Sequence, residues 1–302
     1  MRILHLDSGP AMRGGQWQAL RLLEGLSRTA CDVLLLAPAQ APLLAAARAR
    51  DLPAEPLSLP ALARHSRHAD LVHAHDARSH LLAALIKRAP LIAARRVAFP
   101  VARSPLSRWK YARADHFIAV SHCARSTLLQ TGIPADKISV VYDGVPVPAT
   151  PACGDRILAL ASSDPRKCPA LLRQAAALAD IELHFSTDLD RDLPGAAIFV
   201  YLTENEGLGS AVLLAMAAGV AVIASRTGGL PEIIEHEHTG LLTENSPQAV
   251  AAAIRRLHND PALRKRLGEQ ARRRVLERFT DAHMVQATLA VYRKVLACRK
   301  PS

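Results

Sequence analysis

Glu206 stands in the run Glu206-Gly207-Leu208-Gly209, where one carboxylate meets two glycines between an apolar strand pattern and a helical one. Glycines there let a ligand approach the backbone, and the free N–H groups of a helix's first turn favour phosphate oxygens. A plain tight turn has the same composition. A second glycine loop, Thr227-Gly228-Gly229-Leu230-Pro231-Glu232, closes the next strand pattern, and two such loops at neighbouring strand ends would frame one pocket. Upstream, SSDPRKCP supplies the adjacent cations Arg166 and Lys167, fit either for phosphate or for a solvated turn. Gly14 and Gly15 form a third glycine pair, again ahead of a helical pattern.

His73 and His75 alternate along a strand and so share a face, with Asp76 and His80 following. Their spacing completes no hydrolase pattern, and His75 reads better as a polar group on a cleft wall than as a metal ligand. Asp188-Leu189-Asp190 lies in a charged, irregular stretch and reads as a solvated turn. No metal or other cofactor is expected. From Lys87 to Ala114 the chain carries eight cations (Lys87, Arg88, Arg95, Arg96, Arg103, Arg108, Lys110, Arg113) and no Asp or Glu, with Phe99, Trp109 and Tyr111 interleaved. Such a run suits an anionic membrane surface or a phosphorylated acceptor, and is also what a solvated face looks like.

These groups must be held by the elements around them. RILHL, CDVLLLAP, DLVHAHD, PLIAARRV, HFIAVS and KISVVYDGV are strand patterns in the first half, most of them separated by helical ones. RILALAS, IELHFS, AAIFVYL and VAVIAS follow in the second half, with helices over 247–277 and 281–299. Alternation of this kind gives parallel βαβ units, whose ligands sit outside the carboxyl ends of the strands. Pro146, Pro148 and Pro151 interrupt all periodicity, dividing the chain into domains 1–148 and 149–302. Two α/β halves imply a cleft between them. The apolar run Gly207–Ala224 has the length of a membrane span, but Gly219 splits it into helix formers and β-branched residues, which reads as helix then strand.

The chain has 302 residues, enough for two ordinary domains. Half are hydrophobic and 22% charged, which argues against extensive disorder. Lys+Arg exceed Asp+Glu by 38 − 27 = 11, but only 4% are aromatic and no nucleic-acid reader motif is present, so nucleic acid is not the expected partner. Five dispersed cysteines without a C-x-x-C pair point to a reducing cytoplasm. Asp7 interrupts the only apolar stretch near Met1, so no secretion signal is read.

The order E-G-x-G, an apolar helix with AMA-x-G, a strand, T-G-G-x-P-E and T-G-L-L over 203–244 resembles the retaining glycosyltransferases of family 4. RGGQWQALRLLEGL, DLVHAHDARSHLLAAL and AVSHCARSTLLQTGI extend the resemblance over nearly the whole chain. It implies the GT-B fold, an α/β architecture of two facing Rossmann-like domains with a nucleotide-sugar donor in the cleft. It further implies that Glu206 meets the donor sugar's hydroxyls and Lys167 the diphosphate. Arg166 stands in for the family's arginine, because Ser162 occupies that place. Gly14, Gly15, Gly207, Leu208, Gly209, Ser210, Gly228 and Gly229 fall to the donor, and His75, Arg95 and Arg96 to the acceptor side. Three departures stand out. Leu214 replaces the second glutamate, which holds the ribose in the family; Cys168 replaces the glycine after the lysine; and the stretch from Lys167 to Glu206 is short by about one βα unit.

Breaking a sugar–phosphate bond develops negative charge on the departing diphosphate, and cations with N–H dipoles are what stabilise it. Retaining members are thought to use the donor phosphate to deprotonate the acceptor, so no protein nucleophile is nominated. The expected protein is a cytoplasmic glycosyltransferase, peripheral at the inner face of the membrane. Its partners would be a nucleotide sugar and a glycan or lipid-linked acceptor of surface-glycan assembly such as lipopolysaccharide. The alternative is a degenerate relative that serves as a binding or partner subunit. The helix over 281–299, with Val285, Leu289, Tyr292 and Leu296 on one stripe, is expected to pack back on the N-terminal domain.

Overall fold

The computed structural model describes residues 1–101 and 104–298, so that Arg103 and residue 299 lie outside the described residues. The chain forms two compact units, Met1–Gly144 joined by the chain from Asp281 onward, and Val145–Thr280.

In the first unit the strands are β1 (Arg2–Leu6), β2 (Asp32–Ala37), β3 (Ala54–Pro56), β4 (Leu71–Ala74), β5 (Leu91–Arg95), β6 (His116–Ala119) and β7 (Ile138–Val140). Helices α1 (Gly14–Ser27), α2 (Pro42–Arg48), α3 (Leu59–Ser66), α4 (Ala77–Leu85), α5 (Pro105–Ala112) and α6 (His122–Leu129) alternate with them. The sheet order is β3-β2-β1-β4-β5-β6-β7, parallel throughout. Strand order reverses between β1 and β4, so the crevice for a ligand lies outside their carboxyl ends. Among the elements missed by the sequence reading are β3, whose AEP shows no apolar alternation, and α3 and α5, each with a proline in its first two positions.

The second unit holds β8 (Arg156–Leu160), α7 (Pro169–Ala179), β9 (His184–Ser186), α8 (Leu189–Asp192), β10 (Ala196–Tyr201), α9 (Ser210–Ala217), β11 (Ala221–Ser225), α10 (Leu230–Ile233) and β12 (Leu241–Thr243), then α11 (Pro247–Asn259) and α12 (Pro261–Arg278). Its parallel sheet runs β12-β11-β10-β8-β9, with the reversal between β8 and β10. β11 is buried along its whole length, as a central parallel strand must be. Gly219 takes φ +76 one residue beyond Ala218, the C-cap of α9, so the long apolar run is indeed a helix, a left-handed stop and a strand. Among the described residues no helix is long and apolar enough to cross a membrane. Between β9 and β10 the chain makes only the four-residue α8 and a 3-10 turn.

The division between the units falls at Gly144/Val145 and again at Thr280/Asp281, not after residue 148. Val145 donates its N–H to the Phe279 carbonyl at 2.9 Å and the Pro148 carbonyl accepts from Arg272, so the proline stretch is tied to the second unit. The closing helix α13 (Asp281–Ala297) supplies Met284, Val285, Leu289, Tyr292 and Val295 to the first unit's core. Gly25 on α1 makes this approach possible, since a Cβ there would collide with the Val285 side chain.

Candidate functional site

In the second unit the reversal of strand order places two loops side by side, one after β8 and one after β10. Lys167 ends the first and Glu206 lies in the second. Lys167 Nζ sits 2.6 Å from Glu206 Oε2 and donates to the Tyr201 hydroxyl at 2.5 Å. Tyr201, the last residue of β10, in turn donates to Glu206 Oε2 at 2.5 Å. Burial, with the Glu206 carboxylate second, pushes the Tyr201 phenol well above its ordinary range, so it stays a neutral donor. The other carboxylate oxygen of Glu206 accepts the Gly207 N–H at 3.1 Å.

Glycine is required here by backbone packing. Gly229 donates its N–H to the Glu206 carbonyl at 3.0 Å, and Gly228 lies at φ +57. A Cβ on Gly228 would collide with the Glu206 carbonyl, and one on Gly229 with the Gly207 carbonyl. The two glycine loops therefore lie directly on one another, Gly228-Gly229 serving as the bed of the Glu206 loop. Gly209 (φ +107) caps α9 and starts it at Ser210 beside Leu208.

The remaining residues of this region divide plainly. Arg166 is not gathered into the Lys167–Glu206 pair: its guanidinium lies against Asp164 at 2.6 Å, exposed, and holds that carboxyl down to about 2. Ser162, in the family's arginine place, accepts from the Asp164 N–H at 3.1 Å. Cys168 has a left-handed backbone, at φ 51. Leu214 lies half-buried on the second turn of α9. Asn245 was missed by sequence reasoning; it accepts from Ser225 at 2.6 Å and donates to the Thr203 carbonyl at 3.0 Å, fastening the ends of β10 and β11. Tyr201 was missed as well, although a tyrosine among aliphatic residues of a buried strand signals a hydroxyl in need of a partner.

In the first unit the loops after β1 and β4 meet in the same way. Asp76 caps α4 through the N–H groups of Arg78 and Ser79, and its carboxylate also takes the Ser8 N–H and hydroxyl, each at 2.6 Å. Asp7, fully buried, accepts from Gly9 N–H at 2.7 Å and from the Gln16 amide; burial raises its pKa, and Asp76 adds to that. Gln16 sits on the first turn of α1 beside Gly14 and Gly15, and a Cβ on Gly15 would meet the Arg96 side chain only at ordinary contact distance. Arg96 is ion-paired with Asp143.

His75 joins a buried trio. His5 and His73 are register partners on β1 and β4, and His5 Nδ1 lies 2.9 Å from His75 Nε2. His73 Nδ1 meets the Tyr292 hydroxyl of α13 at 2.6 Å. The three rings bring nitrogens within 4.8 Å of one another. Burial lowers all three pKa values, His5 to about 3, and Arg96 adds to the lowering at His73 and His75. Each ring also carries one buried nitrogen without a hydrogen-bond partner among the described residues: His5 Nε2, His73 Nε2 and His75 Nδ1.

The basic run is largely consumed internally. Lys87 pairs with Asp115, Arg113 donates to the Ala84 carbonyl, Lys110 to the Ala77 carbonyl, and Arg95 to the Phe99 carbonyl and the Tyr111 hydroxyl.

With this geometry in hand, residues 12–147 match the family model of Glycosyltransferase Family 4, and residues 170–274 that of the group 1 glycosyl transferases. The two segments take up most of the chain, which belongs to the GT-B glycosyltransferases of family 4. It is 39% identical over 112 residues to alpha-maltose-1-phosphate synthase of Mycolicibacterium smegmatis, covering 35% of this chain and 29% of that one. It is 38% identical over 100 residues to N-acetyl-alpha-D-glucosaminyl L-malate synthase of Bacillus anthracis, covering 33% and 26%. The match thus spans under a third of either relative. Over 97% of this chain and 100% of the other, the fold is like that of Anabaena Alr3699/HepE, solved in complex with UDP, with a TM-score of 0.86 at 16% identity. A second likeness is sucrose-phosphate synthase from Thermosynechococcus elongatus, with a TM-score of 0.79 at 18% identity over 98% of this chain and 99% of that one.

Proposed function

We propose that the protein transfers a sugar, with retention, from a nucleotide-sugar donor to a glycan or lipid-linked acceptor in the assembly of a bacterial surface glycan. One observation carries this reading. At the strand-order reversal of the second unit, an ammonium and a carboxylate stand 2.6 Å apart beside a glycine bed and the start of a helix. In this reading the donor diphosphate takes Lys167 Nζ and the first N–H groups of α9, around Ser210. The sugar hydroxyls take Glu206, and Tyr201 holds both side chains in place. The Lys167–Glu206 pair must part as the donor enters, leaving Lys167 to meet the charge that develops on the leaving group. Arg166 reaches the diphosphate only by leaving Asp164. His75, Arg95 and Arg96 are assigned to the acceptor side, and the inner face of the cell membrane is where a lipid-linked acceptor would be met.

Calorimetric titration with UDP, GDP, ADP and CMP tests the donor site, starting with UDP because the Anabaena likeness was solved with it. Saturable binding of one nucleotide is expected. Glu206→Ala should then lower turnover by roughly a hundredfold with the circular dichroism unchanged; full turnover would sink the assignment. Leu214 favours a second reading, a partner-binding relative that has lost catalysis, since a leucine accepts no hydrogen bond from a ribose. Measurable turnover with any donor removes that alternative.

A further inference from the structure

Helix α9 leads away from the Glu206 loop, and five of its eight residues are buried. Ser210, Ala211 and Leu214 are the three that stay partly accessible. Ser210 and Leu214 stand one turn apart on the same face, about 6 Å from each other along the axis. Beyond Ser210 this accessible face offers no side chain that makes a hydrogen bond. Glu204, the other carboxylate of the loop, stands at the loop's far end. Its N–H donates to the Arg166 carbonyl at 2.9 Å, and its charge acts on Arg166 and Cys168.

Under the proposed function the donor diphosphate meets Lys167 and the first N–H groups of α9. The pentose is joined to the nearer phosphate through one oxygen and one methylene, so a nucleoside that follows the accessible face brings its pentose to Leu214. A ribose 2′-hydroxyl there exchanges water for an isobutyl group and finds no partner, which costs the ligand an unmade hydrogen bond. A methylene at the same carbon loses nothing and gains from apolar surface leaving water. The 3′-hydroxyl is common to both pentoses and does not discriminate.

We propose that the donor is a 2′-deoxyribonucleoside diphosphate sugar and that Leu214 selects its pentose. The inference rests on the donor site of the proposed function and names the chemical class of its nucleotide. Leu214 then has a positive task, where the partner-binding alternative takes it as a mark of lost catalysis. An apolar wall rejects an added hydroxyl by up to roughly a hundredfold. Leu214 is only half-buried, so water reaches part of the pentose and the expected preference is roughly tenfold.

The test is calorimetric titration of the full chain with base-matched pairs that differ only at C2′: UDP with dUDP, GDP with dGDP, ADP with dADP, CDP with dCDP, and 5-methyl-UDP with dTDP. In the pair that binds, the deoxy member is expected to bind roughly tenfold more tightly. Leu214→Asn places an amide against the pentose and should bring the two members within about twofold of each other. Leu214→Ala, which only removes apolar surface from a half-buried position, should shrink the preference as well and guards against a variant that fails to fold. Thermal melts of both register folding. A ribonucleotide bound as tightly as its deoxy partner, or more so, overturns the proposal and leaves the donor site standing. A deoxy preference unchanged in both variants overturns the selecting role of Leu214. Absence of binding in every pair, from a folded sample, overturns the donor site and this proposal with it.

Discussion

Lys167, Tyr201 and Glu206 satisfy one another through contacts of 2.5–2.6 Å, and under the proposed function a donor would have to separate the two charges. A carboxylate and an ammonium only partly withdrawn from water form a pair that a diphosphate, with more charge and more oxygens, can replace. Leu214 stands where the family resemblance implies a ribose-binding glutamate, and it lies half-buried on the second turn of α9. Leu214→Glu is expected to tighten nucleoside diphosphate binding by roughly tenfold, the value of a charge-assisted hydrogen bond. Calorimetry on the variant checks it, with a thermal melt to register the cost of a carboxylate in an apolar helix. Unchanged or weaker affinity would show that the ribose is held elsewhere.

Elements act here through the way their ends are fastened. The Glu206 loop rests on Gly228 and Gly229, the latter donating to the Glu206 carbonyl. Gly228 also needs φ +57, which a side chain disfavours. Gly228→Ala should therefore lift the Glu206 loop and cost about 2 kcal/mol or more in stability, the range of a strained backbone combined with a steric clash. Chemical denaturation together with nucleotide binding reads both effects, and a neutral result would mean that the loops do not bear on one another. Asp76 plays the corresponding part in the first unit, binding the loop after β1 to the start of α4.

The molecule as a whole joins its two units by two chain crossings, at Val145 and at Asp281. The second returns α13 to the first unit, where Tyr292 is fully buried and bonded to His73. Ending the chain at Thr280 is thus expected to unfold the first unit while the second keeps its cooperative melt, and limited proteolysis would separate the two. Loss of both units together would show that neither folds alone. Stability should also fall in acid. His5, His73 and His75 are buried in neutral form with pKa values below the unfolded 6.5, so the unfolded chain binds more protons below that pH. Their contribution is present above about pH 6.5 and is lost as pH falls toward the folded values, at up to about 1.4 kcal/mol per unit for each ring. His80 and His116, each lowered to about 4 mainly by burial, add to the trend. Melting temperature measured from pH 7.5 to 5 should therefore decline, and His5→Phe should flatten the slope.

The sequence by itself determined the α/β class, the two parallel sheets, most strands and helices, and the glycine loops with Glu206 and Lys167. Apolar strands alternating with capped helices follow from burial on both sheet faces, and a glycine at a strand end announces a backbone that a side chain would obstruct. It did not determine which groups meet. The adjacent cations Arg166 and Lys167 look equivalent in the chain, yet one lies on Asp164 and the other on Glu206, because a 3-10 turn sends their side chains apart. The basic run reads as one charged face, but its Lys87, Lys110 and Arg113 reach back to a carboxylate and to carbonyls of elements distant in sequence. Tyr201, Asn245 and the His5–His73–His75 cluster came into view only when strands far apart in sequence were set side by side. Hydrogen-bond partners across a parallel sheet are fixed by strand order and register, and neither is carried by local periodicity.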